Sequence, residues 1–189
     1  QEVKQETAAA VSVVFNIPEN LKANFNFTAG QYVTLQKEIN GEVIRRAYSI
    51  CATPDSGEIR VAIKKVEKGV FSTHATSNLK VGDAIEITAP EGRFLLNPET
   101  TKNYIGFAAG SGITPILSML KSVLETETTA TFTLVYGNKS SADTIFFEEL
   151  NQLKETYSER LKLHYIFSRE NVKNSLRGRI DGNVTNYFV

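Results

Sequence analysis

The segment YIGFAAGSGITPILSMLKSVL, residues 104–124, decides how this chain is read. An apolar run from Tyr104 to Ala109 meets the turn Gly110-Ser111-Gly112-Ile113-Thr114-Pro115. Beyond it Ile116, Leu117, Leu120, Val123 and Leu124 fall at the spacing of one helix face. Strand, glycine turn and helix in that order open a parallel α/β sheet. The turn also has the chemistry of a pyrophosphate seat, because glycines let the backbone approach a ligand while free N–H groups and the helix dipole favour negative charge. Pro115 suits an early helical position, where its missing N–H would have had no partner anyway. It also stands where G-x-G-x-x-G has its third glycine. By itself the turn therefore fits either a nucleotide site or a bend that serves only backbone geometry.

Working outward, Thr131 to Tyr136 is apolar and β-branched, Phe146, Leu150, Leu153 and Tyr157 recur at helical spacing, and Leu161 to Phe167 reads as another strand. The unit is βαβαβ, a parallel sheet with right-handed crossovers. Upstream, to about residue 95, the rhythm is period two: Val11, Val13 and Phe15 alternate with smaller or polar positions, and Ile59, Val61 and Ile63 alternate with Arg60, Ala62 and Lys64. Turn signals at Thr28-Ala29-Gly30, Asn40-Gly41, Pro54 to Gly57 and Val81-Gly82-Asp83 space these runs as antiparallel strands, with a short helix expected around Ser72 to Leu79. The expected fold is an antiparallel β-barrel over residues 1–97 followed by a parallel α/β domain over 98–189, with the boundary between residues 96 and 102.

Composition narrows the function classes. Of 189 residues 41% are hydrophobic, and 21 basic residues balance 21 acidic ones, so no net field would hold the chain on nucleic acid or an anionic membrane. Cys51 is the only cysteine, which rules out an internal disulfide and any site built from several thiolates of this chain. A reducing, cytoplasmic setting is the expectation. No stretch has the length or apolarity of a membrane span, and the opening QEVKQETAAAVSVVF is not a signal peptide. With no initial Met and an ending just inside an apparent helix, the sequence reads as a piece of something longer. His74 and His164 are far apart without a second ligand at metal spacing, so no metal site is expected. Val61-Ala62-Ile63-Lys64 spells a kinase strand motif, but neither H-R-D nor D-F-G follows it. Glu148-Glu149 reads as a solvated helix face.

Three further clusters carry candidate chemistry. In Arg45-Arg46-Ala47-Tyr48-Ser49-Ile50, Arg46 and Tyr48 share a strand face, so a guanidinium, a phenol ring and a hydroxyl lie together. They suit a flavin and its phosphates, or they are an ordinary strand with a surface arginine. Gly69-Val70-Phe71-Ser72 leads into the short helix, which is a second phosphate-binding candidate or a plain capped start. The strand ending at Tyr136-Gly137-Asn138-Lys139 lacks the acid that commonly binds the ribose hydroxyls of NAD. Ser168-Arg169 after the next strand could bind a 2′-phosphate, which leans toward NADPH, or be a solvated pair.

In order and spacing, R-x-Y-S, G-x-x-S and G-x-G-x-x-P resemble the ferredoxin-NADP reductase superfamily over nearly the whole chain. RAYSICATP, VAIKKVEKGVFSTHA, AAGSGITPILSML, TLVYGNKS and LRGRIDG are similar to the reductase subunits of phenylacetyl-CoA epoxidase systems, which serve phenylacetate catabolism. The resemblance implies an FAD-binding barrel and an NAD(P)-binding domain, the latter lacking its C-terminal strands. It places Arg46 on the FAD pyrophosphate, Tyr48 on the isoalloxazine and Ser49 near flavin N5. Ala62, Ile63 and Lys64 would line the flavin mainly through backbone, and Gly69, Val70, Phe71 and Ser72 would hold phosphates. Gly110, Gly112, Thr114 and Pro115 would form the nicotinamide crevice, with Ser49 and Thr114 nearest the reacting atoms and Tyr136, Ser168 and Arg169 at the adenosine end. The implied activity passes electrons from NAD(P)H through FAD to a one-electron acceptor, an iron–sulfur centre or ferredoxin that supplies an oxygenase. A [2Fe-2S] cluster would belong only to a further C-terminal domain. A flavoprotein electron-transfer or regulatory module that makes no use of NAD(P)H is the competing expectation.

Overall fold

A computed structural model of the chain describes residues 2–96, 102–126, 129–173 and 175–189. The boundary expected at 97/98 lies outside the described residues. In the N-terminal half, β1 (Glu2–Thr7), β2 (Ala10–Phe15) and β5 (Ile59–Lys64) form one antiparallel sheet in the order β1-β2-β5. A second, with order β4-β3-β6, is built from β3 (Tyr32–Ile39), β4 (Glu42–Ser49) and β6 (Glu86–Ile87). Asn40 and Gly41 turn the β3–β4 hairpin, both at positive φ, 55° and 81°, as a two-residue primed turn requires. A bridge between Ile50 and Val61 joins the sheets.

The period-two reading of β5 is realised: Ile59, Val61 and Ile63 are buried among Val11, Val13, Val33, Leu35 and Ile50. Phe71, on the helix α1 (Val70–Ser77), is 2% exposed and packs against this cluster. Each fully buried side chain of this size contributes roughly 1.5–3 kcal/mol.

The C-terminal half is a four-stranded parallel sheet in the order β10-β9-β8-β7. Its strands are β7 (Asn103–Ala109), β8 (Thr131–Asn138), β9 (Leu161–Phe167) and β10 (Leu176–Arg177). Helices α2 (Ile113–Thr126) and α3 (Phe147–Thr156) make the crossovers, and α4 (Gly182–Phe188) follows β10. Asp181 caps α4 by accepting from the Val184 N–H at 2.9 Å.

Helix α2 is buried on nearly every side. Ile116, Leu117, Leu120 and Val123 share one core with Phe132 and Leu134 of the parallel sheet, and also with Ala29, Cys51 and Ala62 of the antiparallel half. A helix covered on both faces has no wide polar stripe, and Ser118 and Ser122, buried too, satisfy their hydroxyls on the carbonyls of Ala52 at 2.7 Å and Ser118 at 2.8 Å. The Ser118 bond crosses from one half to the other. Glu149 departs from the expected solvated face: its side chain is only 19% exposed and accepts from Arg60 Nη1 at 2.8 Å. Glu148, its neighbour, does face solvent. A strand face and a helix turn far apart in sequence meet there, which local charge patterning does not encode.

Candidate functional site

The end of β4 supplies the first wall. Strand alternation turns Arg46 and Tyr48 to one side. The Tyr48 ring packs on Phe71 at 5.7 Å between centroids, tilted by 36°. Burial raises the Tyr48 hydroxyl to about 12, with the Arg46 charge opposing the rise, so the phenol stays protonated at neutral pH and can donate.

The floor comes from the turn into α1. Ser72 Oγ accepts from the Val66 N–H at 3.1 Å and donates to the Gly69 carbonyl at 3.3 Å, which folds residues 66–72 back on themselves. At Gly69 a Cβ would lie 2.6 Å from Ser72 Oγ and 3.1 Å from the Val66 carbonyl oxygen. A Cβ there would displace the Ser72 hydroxyl that closes the bend, and the first N–H groups of the helix emerge beside it.

The facing wall belongs to the parallel sheet. After β7 the chain makes one 3-10 turn, Gly110–Gly112, with Gly110 at φ 53°, and enters α2. Thr114 Oγ1 donates to the Ser111 carbonyl at 3.1 Å, and the Tyr136 hydroxyl donates to the Gly110 carbonyl at 2.8 Å. Lys64, at the end of β5, reaches across: its Nζ lies 3.5 Å from the point where a Gly110 Cβ would stand.

Between these walls lies a cleft of about 450 Å³, within the roughly 300–1,000 Å³ span of ligand pockets. Arg46, Tyr48, Ser49, Ala62, Lys64, Gly69, Phe71 and Ser72 line it from one half, and Ser111 and Thr114 from the other. Most of the expected residues are therefore brought together. Ala47, Val66 and Ser111 also line the cleft and were not singled out from sequence; for Ser111 the signal was its place between two glycines of the turn.

Other expected residues stand elsewhere. Ile63 is fully buried inside the antiparallel half, so only its backbone can face a ligand, and Val70, 43% exposed, lies outside the lining. Gly110, Gly112 and Pro115 shape the turn, while the side chains on the cleft are those of Ser111 and Thr114. Ser168 and Arg169 sit at the end of β9, where their N–H groups bond the carbonyls of Asn138 at 3.0 Å and Lys139 at 2.9 Å. They share the carboxyl edge of the sheet with the Gly110 turn, where open α/β sheets bind ligands. Tyr136 stands inside the core. Expected at the adenosine end, it is 0% exposed, and burial raises its hydroxyl well above the usual tyrosine range while that hydroxyl bonds the Gly110 carbonyl. It braces the turn from within.

A cleft with a guanidinium at one side, a ring pair, a strand-end hydroxyl and a glycine bend closed by Ser72 fits a flavin carrying phosphates. The glycine turn of the opposite wall fits a second dinucleotide.

Residues 2–95 match the family described as Oxidoreductase FAD-binding domain, and residues 107–189 match Oxidoreductase NAD-binding domain. The chain is 42% identical over 183 residues to a 1,2-phenylacetyl-CoA epoxidase component from Escherichia coli (strain K12), covering 95% of this chain and 51% of that protein. It is 36% identical over 171 residues to the ferredoxin reductase component of 3-ketosteroid-9-alpha-monooxygenase from Rhodococcus rhodochrous, covering 88% and 48%. The chain thus spans about half the length of these curated relatives. In fold it is similar to the FAD/NAD binding domain of nitric oxide dioxygenase from Vibrio cholerae, with a TM-score of 0.83 at 24% identity, covering 96% of this chain and 77% of that one. It is also similar to a ferredoxin NADP+ reductase from Neisseria gonorrhoeae with bound FAD and NADP, with a TM-score of 0.80 at 22% identity, covering 98% and 73%. Two family matches across nearly all of the sequence, on a structure whose two halves share one cleft, show that the chain belongs to the FAD- and NAD-binding oxidoreductases of the ferredoxin-NADP reductase family.

Proposed function

We propose that this chain is the flavin-reducing core of an NAD(P)H-dependent oxidoreductase that delivers electrons to a one-electron acceptor, an iron–sulfur centre or ferredoxin serving an oxygenase. The flavin unit is assigned to residues 1–97 and the nicotinamide unit to 98–189. Support for the acceptor class comes from the relatives, whose names describe a component of an epoxidase and a ferredoxin reductase component of a monooxygenase.

The observation that carries the reading is a cleft with Arg46, Tyr48, Ser49 and Ser72 on one wall and Ser111 and Thr114 on the other. When bound, FAD accepts two electrons from the nicotinamide and can release them one at a time. The chain's own residues bind, orient and tune. Arg46 offsets phosphate charge, and Tyr48, held against Phe71, presents its ring to the flavin. Ser49 and Thr114, on opposite walls, set the hydrogen-bonding groups nearest the meeting point of the two cofactors. Ser72 keeps the Gly69 bend closed so that backbone N–H groups face the phosphates. Ser168 and Arg169 receive the 2′-phosphate of NADPH at the carboxyl edge of the sheet. Tyr136 holds the Gly110 carbonyl and so fixes the turn on which the nicotinamide rests.

The test loads the protein with FAD and mixes it anaerobically with NADPH and, separately, NADH. Bleaching of the ~450 nm flavin band is expected. An oxidised spectrum that persists with both nucleotides would overturn the assignment in favour of a flavoprotein module that makes no use of them. Arg46→Ala should weaken FAD binding by about tenfold or more, the loss of one charge-assisted phosphate contact, while the melting temperature of the flavin-free protein stays nearly constant because Arg46 is exposed.

A further inference from the structure

Outside the cleft, a set of interlocked charges among the described residues lies where the two halves meet. Arg60 is on β5, and its side chain is 14% exposed. Nη1 donates to Glu149 Oε2 at 2.8 Å, and Nη2 donates to Glu6 Oε1 at 3.1 Å. Its guanidinium also lies over the ring of Phe146, 4.8 Å from the centroid. Each partner is itself held. Glu149 pairs through its other oxygen with Lys121 of α2 at 3.3 Å, and Glu6 accepts from Ser12 Oγ at 2.6 Å. Phe146, which stands at φ 63° just before α3, is 1% exposed. A planar guanidinium with two charged acceptors and a ring face fixed on different elements has little freedom left.

The connectivity gives this cluster a consequence. Arg60 is two and four residues along the same strand face from Ala62 and Lys64, which line the flavin cleft. Glu149 is on the helix that follows β8, whose Tyr136 braces the Gly110 turn on the other wall. The salt bridge therefore ties the strand carrying one wall to the element behind the other.

We propose that Arg60 and Glu149 form an interdomain latch that fixes the separation of the two walls, so that Arg60 is a positioning residue for electron transfer from nicotinamide to flavin. This rests on the function proposed above. A pair that is partly buried and supported on both sides holds its geometry better than an exposed ion pair does. Because transfer between two bound cofactors depends steeply on their approach, a small opening of the walls slows it without removing either binding site.

The experiment uses the FAD-loaded protein with spin labels at Glu38→Cys on β3 and Glu155→Cys on α3, both exposed positions, leaving Cys51 in the core. Distances between labels and the rate of flavin reduction at saturating NADPH are read for the parent, Arg60→Met, Arg60→Lys, Glu149→Gln and the Arg60→Met/Glu149→Gln pair. A narrow distance distribution should broaden in Arg60→Met. Reduction should slow by roughly tenfold or more, with FAD affinity within about twofold of the parent. Arg60→Lys should recover part of the rate, and the double variant should be no slower than the slower single variant, as expected for partners in one interaction.

An unchanged rate in Arg60→Met, with or without broader distances, overturns the positioning role. A slower rate with unchanged distances overturns the latch, as do additive effects in the double variant. Should Arg60→Met not fold, Glu149→Gln gives the same readings on its own. A parent protein that neither nucleotide reduces removes the proposed function instead, and the label distances then still report on the latch.

Discussion

Gly30 and Cys51 show how tightly single positions are specified where the two halves touch. Gly30 adopts φ 102°, and a Cβ there would fall 2.0 Å from the Phe94 carbonyl oxygen and 2.4 Å from the Met119 methyl. The methionine can move, but the backbone oxygen cannot. Gly30→Ala should therefore cost about 2 kcal/mol or more, through left-handed strain and a forced shift together, measured as a lower denaturant midpoint. Cys51 is fully buried, and burial raises its thiol from 9.0 to about 12, with the Arg60 charge opposing. The sign follows from the proton count. Between pH 9 and 12 the folded thiol keeps a proton that the unfolded one has lost, so its contribution to stability is intact below pH 9 and falls as pH rises through that window. Ellman's reagent at pH 8 should find no reactive thiol in the native protein and one per chain in guanidinium; rapid native labelling would contradict the burial.

Elements were legible wherever one period dominated. The β5 alternation gave its core face from sequence, and the Asn40-Gly41 pair gave the β3–β4 hairpin. The helix stripe of Ile116, Leu117, Leu120, Val123 and Leu124 gave α2. The opposite face of β5 was not legible in the same way, since alternation says which residues point away from one core but not what they meet. Arg60 meets α3, Ala62 joins the core around α2, and Lys64 reaches the Gly110 turn. The partner of Glu149 was hidden for the same reason, as was the Tyr136 bond to the Gly110 carbonyl, 26 residues earlier in the chain. Helix α2 is the centre of the one core cluster to which both halves contribute. Leu120→Ala, at a position with no exposure, should cost about 2–5 kcal/mol. Because Leu120 shares its cluster with Ala29 and Cys51, the loss should appear equally in probes of either half, and a loss confined to the parallel sheet would show that α2 belongs energetically to that half alone.

At the scale of the molecule, the question is whether the halves unfold together. Their shared cluster around α2, the Ser118 to Ala52 hydrogen bond and the Arg60–Glu149 pair all cross between them. Such crossing contacts couple two units when losing them on one side exposes apolar surface on the other, which is the situation of Cys51, Ala62 and Leu120. A single thermal transition, coincident by far-ultraviolet and tyrosine signals, is the expected outcome, whereas independent units would separate the two probes. FAD adds a linkage term, since a ligand that binds only the folded state stabilises it in proportion to the logarithm of its excess. At a free concentration one hundred times Kd the gain is about 2.7 kcal/mol, or about 5–10 °C for a chain of this size. Although most of the lining belongs to the antiparallel half, coupling requires the whole transition to move as one. An FAD-dependent shift seen only in the signals of that half, with the parallel sheet melting at its original temperature, would mean that the shared core does not bind the two halves into one cooperative unit.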